Sequence, residues 1–133
     1  MRYLLDTHTF IWKIADTPRI PANVFVATEN PDNEVFLSAI SLWEIAIKTR
    51  RKKFYLGGIQ NVELIGLAEK MGIDVLPLLP EEAASYDELA ENTHFDPFDR
   101  MLIWQAISGR MVLVSGDPEF KRFKKDGLKL LWK

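Results

Sequence analysis

The chain has 133 residues, 47% of them apolar, with a formal net charge of −2. That suits one domain with a real core, lies well above the disordered range, and argues against a general nucleic-acid binder. No apolar run approaches the roughly 20 residues of a membrane-spanning helix, and the absence of cysteine excludes a disulfide framework or a thiolate metal site. The opening Met1-Arg2-Tyr3-Leu4-Leu5-Asp6 meets an acid too early for a signal peptide, so a cytoplasmic location is expected.

In chain order, Arg2 to Leu5 is a short strand ending at Asp6, and Thr7 to Ala15 shows helical spacing. Pro18 and Pro21 break that helix, and Ala22 to Glu29 forms the next. Asn30-Pro31-Asp32-Asn33 is a turn and Glu34 to Leu37 a second strand. Ser38 or Ser41 caps a helix running to about Arg51, and Ser41 with Glu44 has capping-box spacing. After Gly57-Gly58, Ile59 to Met71 reads as a helix and Ile73 to Leu76 as a third strand. An acidic helix is expected over Glu81 to Glu91. A central helix follows, with Asp96 as N-cap, Pro97 in the first helical position, and apolar residues through Ile107. Met111 to Val114 is a fourth strand, Asp117-Pro118 starts a short helix, and Leu128 to Leu131 is a fifth strand. Short apolar strands alternating with helices predict a single α/β domain over 1–133, with a small, mostly parallel sheet flanked by helices.

The charges are unevenly placed. Lys48-Thr49-Arg50-Arg51-Lys52-Lys53 is basic at five of six positions, and Lys121-Arg122-Phe123-Lys124-Lys125 is a second basic cluster. Seven acids and no Lys or Arg lie between Glu81 and Asp99. Such blocks are solvated faces or local phosphate tracks.

Asp99 shares a helix face with Leu102, Ile103 and Ala106, so its carboxylate heads an inward stripe, which is costly unless paired. Asp6 follows one strand and Asp117 another, and parallel strands deliver their C-terminal ends to one ligand-binding edge. Glu44 lies near the start of a helix arising at the same edge. Each acid alone reads well as a cap. Together they converge on one pocket with few basic partners, and all-carboxylate oxygen donors suit Mg²⁺ or Mn²⁺. His8 reads as a structural residue and His94 as a turn residue. Ser115 either holds a bound water or phosphate or simply shapes its turn. Trp104 either packs under the Glu81–Glu91 helix or anchors an interface.

Four blocks carry a resemblance: Leu4-Leu5-Asp6-Thr7-His8, Ser38 through Lys48, Asp96-Pro97-Phe98-Asp99-Arg100-Met101-Leu102-Ile103, and Leu113-Val114-Ser115-Gly116-Asp117. In this order and spacing the chain resembles the PIN domain, and within it the VapC-type toxins of type II toxin–antitoxin systems. The resemblance covers residues 2 to 132. It implies a three-layer α/β/α fold and a Mg²⁺- or Mn²⁺-dependent endoribonuclease. It also implies an acidic quartet of Asp6, Glu44, Asp99 and Asp117 with Asp96 as accessory acid, a homodimer, and inhibition by a VapB-type antitoxin. Departures at Arg51-Lys52-Lys53-Phe54, at Leu89 to Phe95 and at Trp104 fall on substrate and partner surfaces rather than on the quartet.

On that reading Asp6 and Asp99 are metal ligands, Asp117 a ligand directly or through water, and Glu44 orients or deprotonates the attacking water. Lys48 contacts the phosphate or pairs with Glu44, and Arg50, Arg51 and Lys52 extend an RNA track. The alternatives are a non-catalytic RNA- or antitoxin-binding module, and a DNA nuclease or phosphatase using the same acids.

Overall fold

A computed structural model describes residues 1–53 and 55–133. Strands β1 (Arg2–Leu5), β2 (Glu34–Ser38), β3 (Ile73–Leu76), β4 (Val112–Val114) and β5 (Lys129–Leu131) form one sheet in the order β3-β2-β1-β4-β5. Every neighbouring pair is parallel, with Leu4 opposite Phe36 on one side and Leu113 on the other. A parallel sheet is covered on both faces, so its central strands are continuously apolar. Side chains still alternate along each strand. Tyr3, Leu5, Val35, Leu37, Val112 and Val114 enter one core, while Leu4, Phe36 and Leu113 enter the other.

The first core is closed by α1 (Thr7–Ala15), α2 (Ala22–Glu29), α3 (Ala39–Arg50) and α4 (Glu63–Lys70), through Phe10, Val24, Ile45 and Leu64. The second is closed by α6 (Pro97–Ser108) through Ile103 and Ala106, and by a 3₁₀ segment (Pro118–Asp126) through Phe120 and Phe123. The short α5 (Pro80–Ala84) lies against α6. Successive strands run outward from β1 through β2 to β3, then restart at β4 on its other side. The edge between β1 and β4 is therefore the topological switch point, where open α/β sheets bind ligands.

Three local expectations are corrected. The α3 N-cap is Ser38, whose Oγ accepts from the Ile40 N–H at 3.0 Å. Ser41 and Glu44 therefore stand inside the helix, and the capping box between them does not form. The helix expected from Ile59 begins at Glu63, whose carboxylate reaches back to the Gln60 N–H at 3.1 Å. The acidic helix expected over Glu81–Glu91 stops at Ala84 and is followed only by a 3₁₀ turn, Tyr86–Glu88. There the Ser85 hydroxyl donates to the Glu81 carbonyl at 2.7 Å. The carbonyls of Leu89, Glu91 and His94 are taken by the Arg100 guanidinium instead of by a helical ladder.

Candidate active site

Five acids line one cleft of about 300 Å³ at the switch point: Asp6, Glu44, Asp96, Asp99 and Asp117. Four separate segments deliver them: Asp6, Asp96 and Asp117 are fixed by capping a backbone N–H, and Glu44 and Asp99 are held by side-chain partners. Asp6 leaves β1, is held to β4 by its N–H on the Val114 carbonyl at 3.0 Å, and caps α1 by accepting from Thr9 N–H at 2.8 Å. Its burial pushes the carboxyl above the usual range, against hydrogen bonds from Ser115 and Thr9. Asp117 leaves β4 and caps the 3₁₀ segment through Glu119 N–H at 2.9 Å, while the buried Ser115 Oγ accepts from Asp117 N–H at 3.1 Å. Ser115 thus links the two strand-end acids.

Asp96 caps α6 through Asp99 N–H at 3.0 Å, which fixes the first turn carrying Asp99. The Asp99 carboxyl is pushed up to about 6 by burial and by the neighbouring Asp96 and Glu44 carboxylates, against a hydrogen bond from His94. Glu44 is buried in α3: Oε1 accepts from the Thr7 hydroxyl at 2.6 Å and Oε2 pairs with Lys48 Nζ at 2.6 Å. Lys48 therefore lines the cleft as a partner of Glu44. Arg50, Arg51 and Lys52 are exposed at the end of α3, outside the cleft lining.

His94 is the site residue that sequence reasoning placed elsewhere. Its Nε2 lies 3.0 Å from Asp99 Oδ2, with its ring edge-on to Phe120 and Phe123 at 5.9 Å each. The preceding loop is clamped by two groups. Arg100 donates to the Leu89, Glu91 and His94 carbonyls, and the buried Glu91 carboxylate accepts from Thr93 N–H, Thr93 Oγ1 and His94 N–H. The Thr93 and His94 donors hold the Glu91 carboxyl down at about 2. The signal was present in the sequence: His94 stands just ahead of a helix N-cap and five residues before Asp99.

Among the described residues, no three His, Asp or Glu side chains form a ready-made metal cage. Mg²⁺, however, is commonly held by one or two carboxylates, its remaining positions filled by water and substrate phosphate. Clustered carboxylates whose ionisation is resisted by burial and by each other fit such an ion, and the donor set contains no sulfur.

The PIN domain family model matches residues 3–126, and the chain belongs to that family. PIN domains are generally nucleases that use a divalent metal. The fold is similar to VapBC2 from Rickettsia felis, solved with a DNA fragment from its promoter, at 21% identity and a TM-score of 0.75 over 100% of both chains. It is also similar to VapBC-1 from nontypeable Haemophilus influenzae, at 22% identity and a TM-score of 0.71 over 98% of this chain and 97% of that one. For FitAcB from Neisseria gonorrhoeae the values are 18% and 0.62, over 97% and 96%. No curated protein matches the sequence. Among the described residues no helix is long and apolar enough to cross a membrane.

Proposed function

We propose that this chain is a Mg²⁺- or Mn²⁺-dependent endoribonuclease, the toxin of a VapBC-type toxin–antitoxin module acting in the cytoplasm. The observation that carries the reading is the convergence of Asp6, Glu44, Asp96, Asp99 and Asp117 on the switch-point cleft of a PIN fold. Asp6 and Asp99 would hold the ion, with Asp117 bound directly or through water. Once bound, the ion would polarise the phosphodiester and lower the pKa of water. Glu44 orients or deprotonates the attacking water, and the Lys48 ammonium and Thr7 hydroxyl hold it in place. Asp96 and His94 fix Asp99, and Ser115 fixes the Asp6–Asp117 pair. Arg50, Arg51 and Lys52 are assigned to substrate phosphates along one flank, beyond Lys48, which pairs with Glu44.

A cognate VapB-type antitoxin and a homodimer belong to the same proposal. Supporting a protein partner, Trp43 is 57% exposed and edge-on to Phe98 at 5.2 Å, in an apolar groove with Ile40, Leu78 and Met101. The deciding experiment titrates Mg²⁺ and Mn²⁺ against single-stranded RNA and DNA of matching sequence. Cleavage of RNA alone, abolished by chelation, is expected. Metal-dependent cutting of DNA at an equal rate would make the chain a general nuclease, and no cleavage of either would make it a binding module.

A further inference from the structure

The second basic cluster folds as a 3₁₀ segment, in which residues three apart lie above one another. Phe120 and Phe123 therefore turn inward together, and Lys121 and Lys124 turn outward together. The other two cations of the cluster are occupied: Arg122 pairs with Glu119 at 2.8 Å, and Lys125 lies 3.6 Å from Glu91. Lys121 and Lys124 make no ion pair among the described residues. With Lys133 they line a groove of about 250 Å³ that shares Gly116 and Asp117 with the acid cleft.

The wall joining cleft and groove is aromatic. A Cβ on Gly116 would stand 2.6 Å from Trp132 Cε2, so only glycine lets the indole lie against the loop that carries Asp117. Trp132 is tilted on Trp12 with centroids 6.0 Å apart, and Trp12, which lines the cleft, is 6.0 Å from His8. The Asn23 amide donates to the Trp132 carbonyl at 2.8 Å and fixes this end of the chain. A polyanion crossing five carboxylates needs cations close by, and the cleft's own lysine is engaged with Glu44. Lysines beside ring faces are the combination by which single-stranded nucleic acid is bound without sequence readout.

We propose that the Lys121–Lys124–Lys133 groove is a second RNA subsite. In it the single strand continues from the acid cleft across the Gly116 loop, its phosphates on the lysines and a base against the Trp12–Trp132 wall. This rests on the ribonuclease reading and specifies where its substrate lies. It places the two basic clusters on opposite flanks of the acids: Lys48 on the β2 side, Lys121 and Lys124 on the β4–β5 side.

The test is fluorescence anisotropy of a labelled single-stranded oligouridylate in metal-free buffer across a salt series. The proteins are the wild type, Lys121→Ala/Lys124→Ala, Trp132→Ala, and Lys70→Ala on α4 as a control. The double lysine variant should lose about 0.7 of salt slope for each lysine. Trp132→Ala should weaken binding about tenfold with its slope intact, and Lys70→Ala should match the wild type. Lys121 and Lys124 are both exposed, so the double variant is decisive even if Trp132→Ala fails to fold. A wild-type slope in the double variant, with RNA still bound and then cleaved once Mn²⁺ is added, overturns the subsite and leaves the ribonuclease reading standing. A wild type that neither binds nor cleaves RNA overturns both.

Discussion

Two carboxylates, Glu91 in the loop before α6 and Asp99 in its first turn, behave in opposite ways. Glu91, on the clamp side, accepts two N–H groups and a hydroxyl, and its carboxyl is held down at about 2. Asp99, on the cleft side, faces other carboxylates, and its carboxyl is pushed up to about 6. The residue types are nearly the same; Glu91 is met by donors on every side, whereas Asp99 is partly desolvated beside other carboxylates with His94 as its side-chain partner. A carboxylate with three donors builds structure. One that shares its space with other acids is electrostatically unsatisfied, a condition common at functional sites. The clamp spends its hydrogen bonds on the loop that carries His94, and His94 in turn sets Asp99. The clamp side thus positions the cleft side.

Removing scaffold should therefore cost stability, and the largest effect is expected at Trp104. Its indole N–H donates to Ser85 Oγ at 3.0 Å at the end of α5, and the ring packs against the second core. Trp104→Ala should lower stability by about 3 kcal/mol in urea unfolding. The exposed Trp43 is the contrasting case: Trp43→Ala should leave unfolding unchanged but weaken self-association or antitoxin binding by about 2 kcal/mol, read by analytical ultracentrifugation and titration. Next in size, Arg100→Ala should cost about 2 kcal/mol by freeing the carbonyls of the clamp. It should also slow RNA cleavage, because His94 loses its seat; stability lost with cleavage unchanged would separate clamp from cleft.

The smallest and sharpest test is pH. The Asp99 carboxyl, raised from 3.8 to about 6, is stabilising when protonated; that contribution is lost as pH rises through 6. Asp99→Asn should melt higher than wild type above pH 6, by a few degrees, with the gap closing below the unfolded value of 3.8. Glu91 carries the opposite sign. Its contribution is present above 4.5 and lost as pH falls toward 2, so Glu91→Gln should melt lower at neutral pH and converge with wild type in acid. Parallel profiles for the two variants would dissolve the contrast.

Much of this was legible in the chain. The limits of β1, α1 and α2 follow from Asp6, Pro18 and Pro21, and the Asp96-Pro97 start of α6 follows from its cap. Period-two alternation is hidden in strands buried on both faces, yet their short apolar runs sufficed to predict parallel pairing. The convergence of Asp6 and Asp117 followed from strand ends. The long-range partners were not legible. Nothing in the run Glu81 to Glu91 says that Arg100 will take the carbonyls of Leu89 and Glu91, so the sequence reads as one helix where the chain breaks after Ala84. His94 reads as a turn until Phe120 and Phe123 close around it. Ser41-Leu42-Trp43-Glu44 has the spacing of a cap, and only tertiary pairing of Glu44 with Thr7 shows another role.

The central claim is that the clustered acids bind a divalent ion, and calorimetry of Mn²⁺ with wild type and Asp99→Asn tests it most directly. Wild type should bind, with affinity rising as pH passes from about 5 to 7 and the carboxyl sheds its proton. Asp99→Asn should remain folded and lose most of that affinity at every pH. Equal Mn²⁺ binding by the two proteins would contradict the account.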